Sequence, residues 1–343
     1  MEAINWYEQS ESDKSPIISS RIRLARNLSN YPFSVQITSD KAAAMIDEIR
    51  APLSDFFSFI EPAKEDSITR LSMVENHDLS PEIFKISPER PFALLKGASA
   101  RVNESVILGE EDHIRIQAVA SGNNLDAAYK RASEIDDMLE ACVEYAYHRD
   151  FGYLTSCPTN TGTGLRASFM IHVPMIEKTG NLPAIVRSLS KLGMTVRGIY
   201  GEGSKPFGSI YQVSNQVTLG KSEEEILKDI KAVGIQLVEN EQTLLKNAFI
   251  QDPLGMEDII YRALGLLKTA RKITVNEAME SLSAIRAGIL SGIIKDDIAG
   301  APIYSIMIGI EPGNLQKRAD GNLSEKDILI HRARYLREIF DRR

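Results

Sequence analysis

The sequence has few cysteines and no long apolar run, and each shortage excludes a class of protein. Cys142 and Cys157 are the only cysteines, too few for a disulfide framework or for a metal site built from thiolates. No segment reaches the ~18 consecutive apolar residues needed to span a bilayer. The acidic, polar N-terminus lacks the basic region and apolar run of a signal peptide.

The sequence also carries more negative than positive charge, with 47 acidic residues against 40 lysines and arginines. A formal net charge of −7 argues against general nucleic-acid binding, which needs a positive surface to meet phosphates. A local cluster of arginines therefore stands out against the overall sign. We expect a cytoplasmic protein that contacts neither a membrane nor nucleic acid directly.

The composition and the hydrophobic pattern predict a folded chain of mixed secondary structure. Of 343 residues, 43% are hydrophobic and 25% charged, enough for one large domain or two ordinary ones with packed cores. Apolar spacings of three and four predict helices, and β-branched or alternating segments predict strands. Helices are expected within 42–60, at 125–147, at 183–192 and from Ser222 onward; strands are expected at 114–120, 167–173, 194–200 and 209–219. This order suits an α+β fold with a largely antiparallel sheet.

A break near Asp252 divides the chain into a larger and a smaller part. The long helix opens with a capping box formed by Ser222 and Glu225. The proline after Asp252 interrupts it, because proline cannot continue the interior of a helix. Beyond this point the pattern is mainly helical. We predict an α+β domain at 1–252 and a smaller, mainly helical domain at 253–343.

Two segments look like known kinase signatures but fail on geometry. HRDFG at 148–152 joins HRD and DFG through one aspartate, whereas kinases of the eukaryotic type need separate aspartates as base and metal ligand. We interpret it as a helix end that turns at Gly152. GIYGEGSK at 198–205 resembles a P-loop, but its serine and lysine are in the wrong order to reach phosphates.

Four other segments combine arginines with glycines and carboxylates: SSRIRLAR at 19–26, GEEDHIR at 109–115, CPTNTGTGLR at 157–166 and RGIYGEG at 197–203. If the first is extended, Arg21 and Arg23 point to the same side, because side chains repeat every second residue in a strand. Each segment alone is weak evidence. A basic run is more often a solvated face or a salt-bridged strand, and an acidic run is more often a charged turn.

The combination suits phosphoryl transfer from ATP to a guanidinium. Such transfer needs cations around the phosphates, a magnesium ion and an acceptor held in line. A guanidinium has a pKa above ~12 and is not nucleophilic at neutral pH, so carboxylates must orient it and accept a proton. A site for this reaction should contain several arginines and at least two acidic groups.

Together, the four segments resemble the phosphagen (guanidino) kinase family, which includes creatine and arginine kinases, in order and in spacing. The resemblance covers about residues 17–220, and CPTN-GTGLRAS is its most specific block. It implies an ATP:guanido phosphotransferase that uses ATP and Mg²⁺. It also implies a catalytic domain at 1–252 with an antiparallel sheet flanked by helices.

The resemblance also assigns roles to individual residues. Glu111 and Glu202 match the carboxylates that bind the guanidinium, one of them as base. Cys157 matches a cysteine that lies against the guanidinium, where a thiolate would add negative charge. The ATP-phosphate clamp would consist of Arg21, Arg23, Arg115, Arg166 and Arg197.

The rest of the chain indicates a branch of the family. Animal phosphagen kinases carry an N-terminal helical domain, and here only residues 1–16 precede the first motif. YRALGLL, LSAIRAG, EPGNLQ and RARYLRE are similar to segments of bacterial protein arginine kinases. This resemblance implies phosphorylation of arginine in proteins, marking for Clp-type proteolysis and a role in stress response and protein quality control. The implied partners are substrate proteins with exposed arginine, a zinc-finger activator, an AAA+ Clp unfoldase and a second copy of the chain.

Two positions depart from the family pattern. Gly109 stands where asparagine usually precedes the two glutamates. KD-x4-RA at 326–333 replaces RDxxRA, a motif associated with phosphoarginine binding in protein arginine kinases. Lysine lacks the bidentate fork of arginine, and two extra residues turn the partner by roughly 200° on a helix. The C-terminal arginines either form such a pocket or, as we favour, lie on a solvated helix face: Arg332, Arg334 and Arg337.

Two other functions are compatible with the pattern. One is a kinase for a small guanidino metabolite. The other is an inactive adaptor that binds phosphoarginine or a protease. Retention of both glutamates, all five arginines and Cys157 argues against an inactive site.

Overall fold

The structure, a computed structural model, describes residues 5–86, 89–97, 102–198, 207–295 and 298–341. The strands are β1 (Ile17–Arg26), β2 (Phe57–Ile60), β3 (Ala93–Gly97), β4 (Val102–Leu108), β5 (Ile114–Ser121), β6 (Tyr147–His148), β7 (Gly152–Tyr153), β8 (Leu165–His172), β9 (Met194–Arg197) and β10 (Ile210–Asn215). The helices are α1 (Ser39–Arg50), α2 (Ser67–Glu75), α3 (Leu125–Glu140), α4 (Pro174–Lys178), α5 (Leu182–Lys191), α6 (Glu223–Gln251), α7 (Pro253–Thr269), α8 (Val275–Leu290), α9 (Ile303–Gly309), α10 (Pro312–Arg318) and α11 (Glu325–Phe340).

Eight of the strands form one antiparallel sheet in the order β2-β3-β4-β5-β1-β8-β10-β9. β1 lies near the middle of this sheet and pairs with β5 on one side and β8 on the other. Both partners of β1 come from distant parts of the chain, so the sheet brings separated sequence segments together.

The two faces of the sheet differ because alternate side chains of a strand point to opposite sides. Ile22 and Leu24 of β1 are buried in the larger apolar core. The amphipathic helix α3 packs on this side and contributes Ala128, Ala132 and Ile135 to the same core. Burial of an isoleucine or leucine side chain contributes about 1.5–3 kcal/mol, so this face anchors β1 firmly.

The opposite face is partly covered by the C-terminal helices. Ile18, Val119, Met170 and Ile210 come from four strands of the sheet and pack in a second core with residues of α7, α8, α9 and α11. The mainly helical part is therefore packed directly on the sheet.

Several sequence-based expectations are confirmed. β5, β8 and α5 lie within two residues of the predicted bounds. Ser222 and Glu225 form the predicted capping box, and α6 ends at Gln251, directly before Asp252. β9 covers the first part of the strand predicted at 194–200, whose last two residues lie outside the described ranges.

Three expectations were wrong in extent. The segment 42–60 contains the helix α1, but it ends in strand β2, which pairs with β3. α3 stops at Glu140 instead of continuing to 147, because the chain pairs with β1's continuation: Ala146 N–H donates to Asn27 and Ser29 N–H to Glu144. β10 ends at Asn215, four residues before the predicted end.

The HRDFG segment is a hairpin turn between β6 and β7, so its interpretation as a helix end was wrong. Tyr147 pairs with Tyr153, and His148 pairs with Gly152. Gly152 has φ +71° and does turn the chain as expected, but between two short strands. In so short a segment, the hydrophobic period and the composition do not distinguish a helix end from a turn between two strands.

The expectation of a solvated arginine face on α11 was wrong for Arg332. This side chain is buried, and its guanidinium donates to the carbonyls of Ile310 and Ile273. Burial lowers its pKa, with Glu311 and Glu75 acting in the opposite direction. Arg334 is exposed and pairs with Glu338, as expected of a solvated face. Arg332 instead ties α11 to the ends of neighbouring segments.

A buried carboxylate joins the two parts of the chain. Glu75, the last residue of α2, accepts hydrogen bonds from the N–H groups of Gly313 and Asn314 at the start of α10, at 2.7 and 2.8 Å. Only 4% of Glu75 is exposed. Burial raises its pKa to about 7, although the two N–H donors act in the opposite direction.

This raised pKa predicts a pH-dependent loss of stability. The folded protein holds the proton of Glu75 more tightly than the unfolded chain does. Its contribution is therefore complete below about pH 4.5 and is lost as pH rises to about 7. We expect Glu75→Gln, which cannot ionise, to lose less stability than wild type between pH 5 and pH 8, by up to about 3 kcal/mol. Urea unfolding across this range measures the difference.

The matched control is Glu224→Gln, at an exposed position of α6. It should follow the wild-type dependence of unfolding free energy on pH. An unchanged pH dependence in Glu75→Gln would contradict the assignment.

Candidate functional site

The five predicted arginines lie on one face of the sheet. Directly paired residues of antiparallel strands share a face, and Arg21 pairs with Val119, while Arg23 pairs with both Gln117 and Arg166. Arg115 pairs with Ala25, which is on the face of Arg23. Arg197, at the end of β9, pairs with Gln212 of β10, and Gln212 pairs with Met170 of β8. Met170 is on the face of Arg166, because the two are four residues apart on one strand. The register therefore collects guanidinium groups from β1, β5, β8 and β9.

These side chains line a cavity of about 340 Å³. Its wall also includes the segment that follows α2 and residues of the neighbouring strands. The lining residues are Arg21, Arg23, Val74, His77, Asp78, Leu79, Ser80, Pro81, Glu82, Ile107, Glu111, Arg115, Gln117, Arg166, Arg197 and Gln212.

Larger cavities exist elsewhere, so size does not identify the site. Volumes of about 470 and 730 Å³ lie beside α8, and the described walls of both contain none of the five arginines. The density of positive charge distinguishes the smaller cavity.

The arginines of the cavity disfavour one another's charge. Burial, and after it the nearby charges of Arg166 and Arg115, lower the pKa of Arg21 to about 10. Burial also lowers the pKa of Arg23, with three neighbouring arginines adding to the effect and Glu110 opposing it. A polyphosphate bound among these groups would relieve the repulsion. The cavity is therefore suited to a highly charged anion.

The third arginine of the RIRLAR run has a different task. Arg26 points to the opposite face, is 1% exposed and pairs with Asp136 at 2.6 Å. Its guanidinium also donates to Thr163 O and lies 3.6 Å from the ring centroid of Tyr153. Arg26 thus holds the loop before β8 against β1.

The acidic turn before β5 presents three carboxylates with different surroundings. Glu110 is buried and forms an ion pair with Arg115. Glu111 is exposed towards the cavity that it lines. Partial desolvation raises the pKa of Glu111, and Asp112 adds to this effect, whereas Arg115 and the Cys157 side chain oppose it. Glu111 and Cys157, both predicted to face the guanidinium of the acceptor, therefore lie near each other.

Asp112 connects the acidic turn to the cysteine loop. It is buried, and its Oδ1 accepts hydrogen bonds from Asn27 Nδ2 at 2.8 Å and from Ser156 N–H at 2.7 Å. Ser156 directly precedes Cys157, whose thiol lies 3.0 Å from the hydroxyl of Thr159. Asp112 therefore fixes the position of Cys157 relative to Glu111.

Glycine is required at two turns of the site. Gly109 has φ +79°, and a Cβ there would lie 2.7 Å from the carbonyl oxygen of Pro91. Asparagine also adopts this left-handed region, but here the added Cβ would have to displace backbone. Gly164 has φ +64°, and a Cβ there would lie 2.6 Å from Ala25 O. The glycine at 109 is thus consistent with its local packing.

One predicted site residue is not described by the structure, and two residues that were not predicted line the cavity. Glu202 lies outside the described residues. His77 and Gln117 line the cavity but were missed, because neither belongs to a segment with a recognisable motif. Gln117 could have been found from β5, since it is two residues after Arg115 and so points to the same face.

Two family models match the sequence. The model described as ATP:guanido phosphotransferase, C-terminal catalytic domain, matches residues 45–244. The model described as protein-arginine kinase McsB C-terminal domain matches residues 253–343. Among curated relatives, the protein-arginine kinase of Clostridium kluyveri is 39% identical over 341 residues, 97% of each chain. That of Bacillus subtilis is 38% identical over 343 residues, 97% of this chain and 92% of the relative.

Solved structures of similar fold include two guanidino kinases. The duplicated taurocyamine kinase of Schistosoma mansoni, with bound components of a transition-state analogue, has a TM-score of 0.59 and 24% identity. It covers 73% of this chain, which covers 36% of it. Lombricine kinase has a TM-score of 0.58 and 22% identity, covering 71% of this chain and 69% of its own. The predicted fold class is confirmed. No helix within the described residues is long and apolar enough to cross a membrane.

The link through Asp112 can be tested by the reactivity of Cys157. Asp112→Ala leaves the N–H donors of Asn27 and Ser156, one buried and one partly buried, without their acceptor, which should cost about 1–3 kcal/mol of stability. It should also loosen the loop. In a Cys142→Ser background, which removes the other thiol, we expect Cys157 to be alkylated faster than in the parent.

Asp112→Asn is the matched control, because one oxygen, Oδ1, accepts both hydrogen bonds and an amide oxygen can do the same. It should restore most of the protection. Equal alkylation rates for Asp112→Ala and the parent would refute the proposed link.

Proposed function

This chain belongs to the protein-arginine kinases of the ATP:guanido phosphotransferase family, and we propose that its arginine-lined cavity holds the ATP phosphates during transfer to protein arginine. The observation that carries the proposal is the collection of five arginines on one face of the sheet, next to Glu111 and Cys157. Catalysis of phosphoryl transfer is mostly positioning and electrostatic stabilisation, which such a cavity supplies.

In this proposal the arginines bind the charge that develops in transfer. The clamp consists of Arg21, Arg23, Arg115, Arg166 and Arg197. Their guanidinium groups come from paired strands, which are more rigid than loops, so they are held in place before the nucleotide binds. The pKa of Arg21, about 10, leaves it charged at neutral pH.

The carboxylates and the thiol would handle the acceptor. Glu111, and Glu202 by its motif, would hold the substrate guanidinium and orient one nitrogen towards the γ-phosphorus. A bond forms between that nitrogen and phosphorus, and the bond from phosphorus to the β–γ bridging oxygen breaks. ADP leaves with the electron pair, and one carboxylate accepts the proton of the nitrogen. Cys157 would lie against the guanidinium beside Glu111.

Magnesium is the proposed metal. Within the residues that the structure describes, no three histidine, cysteine, aspartate or glutamate side chains are arranged to hold an ion. Mg²⁺ usually binds through substrate phosphates with few protein ligands, so the site fits an ion that arrives with the nucleotide. When bound, it would neutralise phosphate charge.

The wider setting is also proposed from the family. We propose a cytoplasmic role in stress response, with phosphorylated substrates passed to a Clp-type AAA+ unfoldase and with a zinc-finger activator. We further propose division into a catalytic domain at 1–252 and a C-terminal domain at 253–343 that supports a homodimer or binds phosphoarginine. Co-purification and light scattering would test the partners and the dimer.

The activity itself is tested by incubating the protein with Mg-ATP and casein. We expect phosphate on arginine, found by mass spectrometry after neutral handling, because the N–P bond hydrolyses in acid whereas phosphoserine survives. Free arginine, offered in parallel, should be a poorer acceptor. Phosphorylation of free arginine alone would assign the chain to metabolite kinases, and no product from either would contradict the proposal.

Substitution of the two glutamates separates their roles. Glu111→Gln and Glu202→Gln should each lower kcat, the base by about 10²–10⁴-fold, while the Kd for ATP stays within about twofold. Arg187→Gln, on the outer helix α5, is a control that should leave both unchanged. Full activity in both glutamate variants would refute their assignment.

The pH profile adds a further prediction. Because the pKa of Glu111 is raised, the rate should fall as pH falls through a value above that of an ordinary glutamate, if Glu111 must be ionised. This acidic limb should disappear from the residual activity of Glu111→Gln. An identical limb in the variant would show that another group titrates.

A further inference from the structure

The C-terminal helices pack on the same face of the sheet that carries the arginines. Val119 is on the face of Arg21, because the two pair in register. It belongs to the core cluster that also contains Tyr304 of α9. Tyr304 is only 2% exposed. The C-terminal helices therefore cover the part of this face that adjoins the cavity.

Tyr304 touches the wall of the cavity through His77. The Tyr304 hydroxyl lies 2.7 Å from Nε2 of His77. The two rings are nearly parallel, with planes 14° apart and centroids 6.2 Å apart. Trp6 stacks on Tyr304 from the N-terminal segment, at a centroid distance of 5.4 Å. His77 itself lines the cavity, so a C-terminal side chain is one contact away from it.

His77 has a conformation that its surroundings must hold. Its φ of +62° is in the left-handed region, which residues with a side chain adopt rarely and at some cost. The backbone carbonyl accepts a hydrogen bond from Gln117 Nε2 at 3.1 Å. Gln117 pairs with Arg23 in the sheet. The ring contact with Tyr304 and the bond from Gln117 thus fix His77 from two sides.

The residues before His77 are also held by the C-terminal helices. Glu75 accepts from the backbone of α10, as described above, and Asn76 accepts from the side-chain amide of Asn314 at 3.1 Å. Three consecutive residues, 75–77, therefore contact C-terminal helices. The segment that follows them, 78–82, forms one wall of the cavity.

We infer that Tyr304 is a positioning residue for nucleotide binding: it holds His77, and with it the wall formed by 77–82, at a set distance from Arg21 and Arg23. Through this contact the packing of the C-terminal helices determines how well the cavity accepts the ATP phosphates. The inference rests on the proposed function. If the inference holds, the affinity for ATP depends on Tyr304 and the helices around it, although these residues touch neither ATP nor the acceptor.

Tyr304→Phe tests this inference because it keeps the ring and removes the hydroxyl. We expect the Kd for ATP, measured by calorimetry, and the KM for ATP to rise about fivefold, the effect of one net hydrogen bond. The kcat with saturating ATP should stay close to wild type, whereas the Tm should fall, because the ring nitrogen of His77 loses its buried partner. His77→Asn, which tolerates the left-handed backbone but lacks the ring, should raise Kd at least as much.

Tyr261→Phe is the matched control, since it removes the hydroxyl of an exposed tyrosine of α7 and should leave Kd unchanged. Wild-type Kd in both Tyr304→Phe and His77→Asn would overturn the inference alone. A Tyr304→Phe protein with lower Tm and lower kcat but unchanged Kd would show a purely structural role and also overturn it. A wild-type protein that binds no ATP would overturn the proposed function and the inference together.

Discussion

Five guanidinium groups share one face of a single antiparallel sheet, and their mutual repulsion is the constraint on which the rest of the structure depends. Two like charges 4 Å apart repel by about 4 kcal/mol at an effective dielectric constant of 20. The other face of β1 offsets such costs, because Ile22 and Leu24 are buried in the main core. Glu110 offsets part of the charge through its ion pair with Arg115. The remaining positive potential is available to an anionic ligand.

The same constraint bears on the proposed acceptor site. A guanidinium acceptor would be repelled by the arginines, so the proposed reaction needs carboxylates beside it. Glu111 and Asp112 extend from the turn that leads into β5, and Asp112 also fixes the loop that carries Cys157. The acidic groups of this turn thus lie next to the basic Arg115 at the start of β5. The C-terminal helices fill the remaining part of the face and support the cavity wall through His77.

The sequence patterns correctly predicted features that depend on residues close together in the chain. The period of two in β1 placed Arg21 and Arg23 together, and the capping box at Ser222 marked the start of α6. The match to known motifs indicated the other three arginines, which spacing alone could not. Whether these arginines meet depends on the pairing register of strands that are far apart in the sequence. A single sequence carries little information about that register.

The errors have the same origin. Nothing local distinguishes a buried Arg332 from a solvated one; the carbonyls of Ile310 and Ile273 that bind it come from other segments. The early end of α3 is likewise set by pairing with a distant segment, since residues 144–146 bond to residues 27–29. The hairpin at 147–153 pairs locally, and it was missed because its strands are only two residues long. His77 gave no signal, since its left-handed backbone is held by Gln117 and Tyr304.

The most direct test of the arginine face compares the affinities of the wild-type protein for ATP and AMP by calorimetry at low ionic strength. If the five arginines bind the polyphosphate, ATP should bind at least about 100-fold more tightly, since each charge-assisted hydrogen bond contributes about 1.5–3 kcal/mol. The difference should shrink as salt is added. Equal affinities for ATP and AMP would contradict the assignment of this cavity to the phosphates.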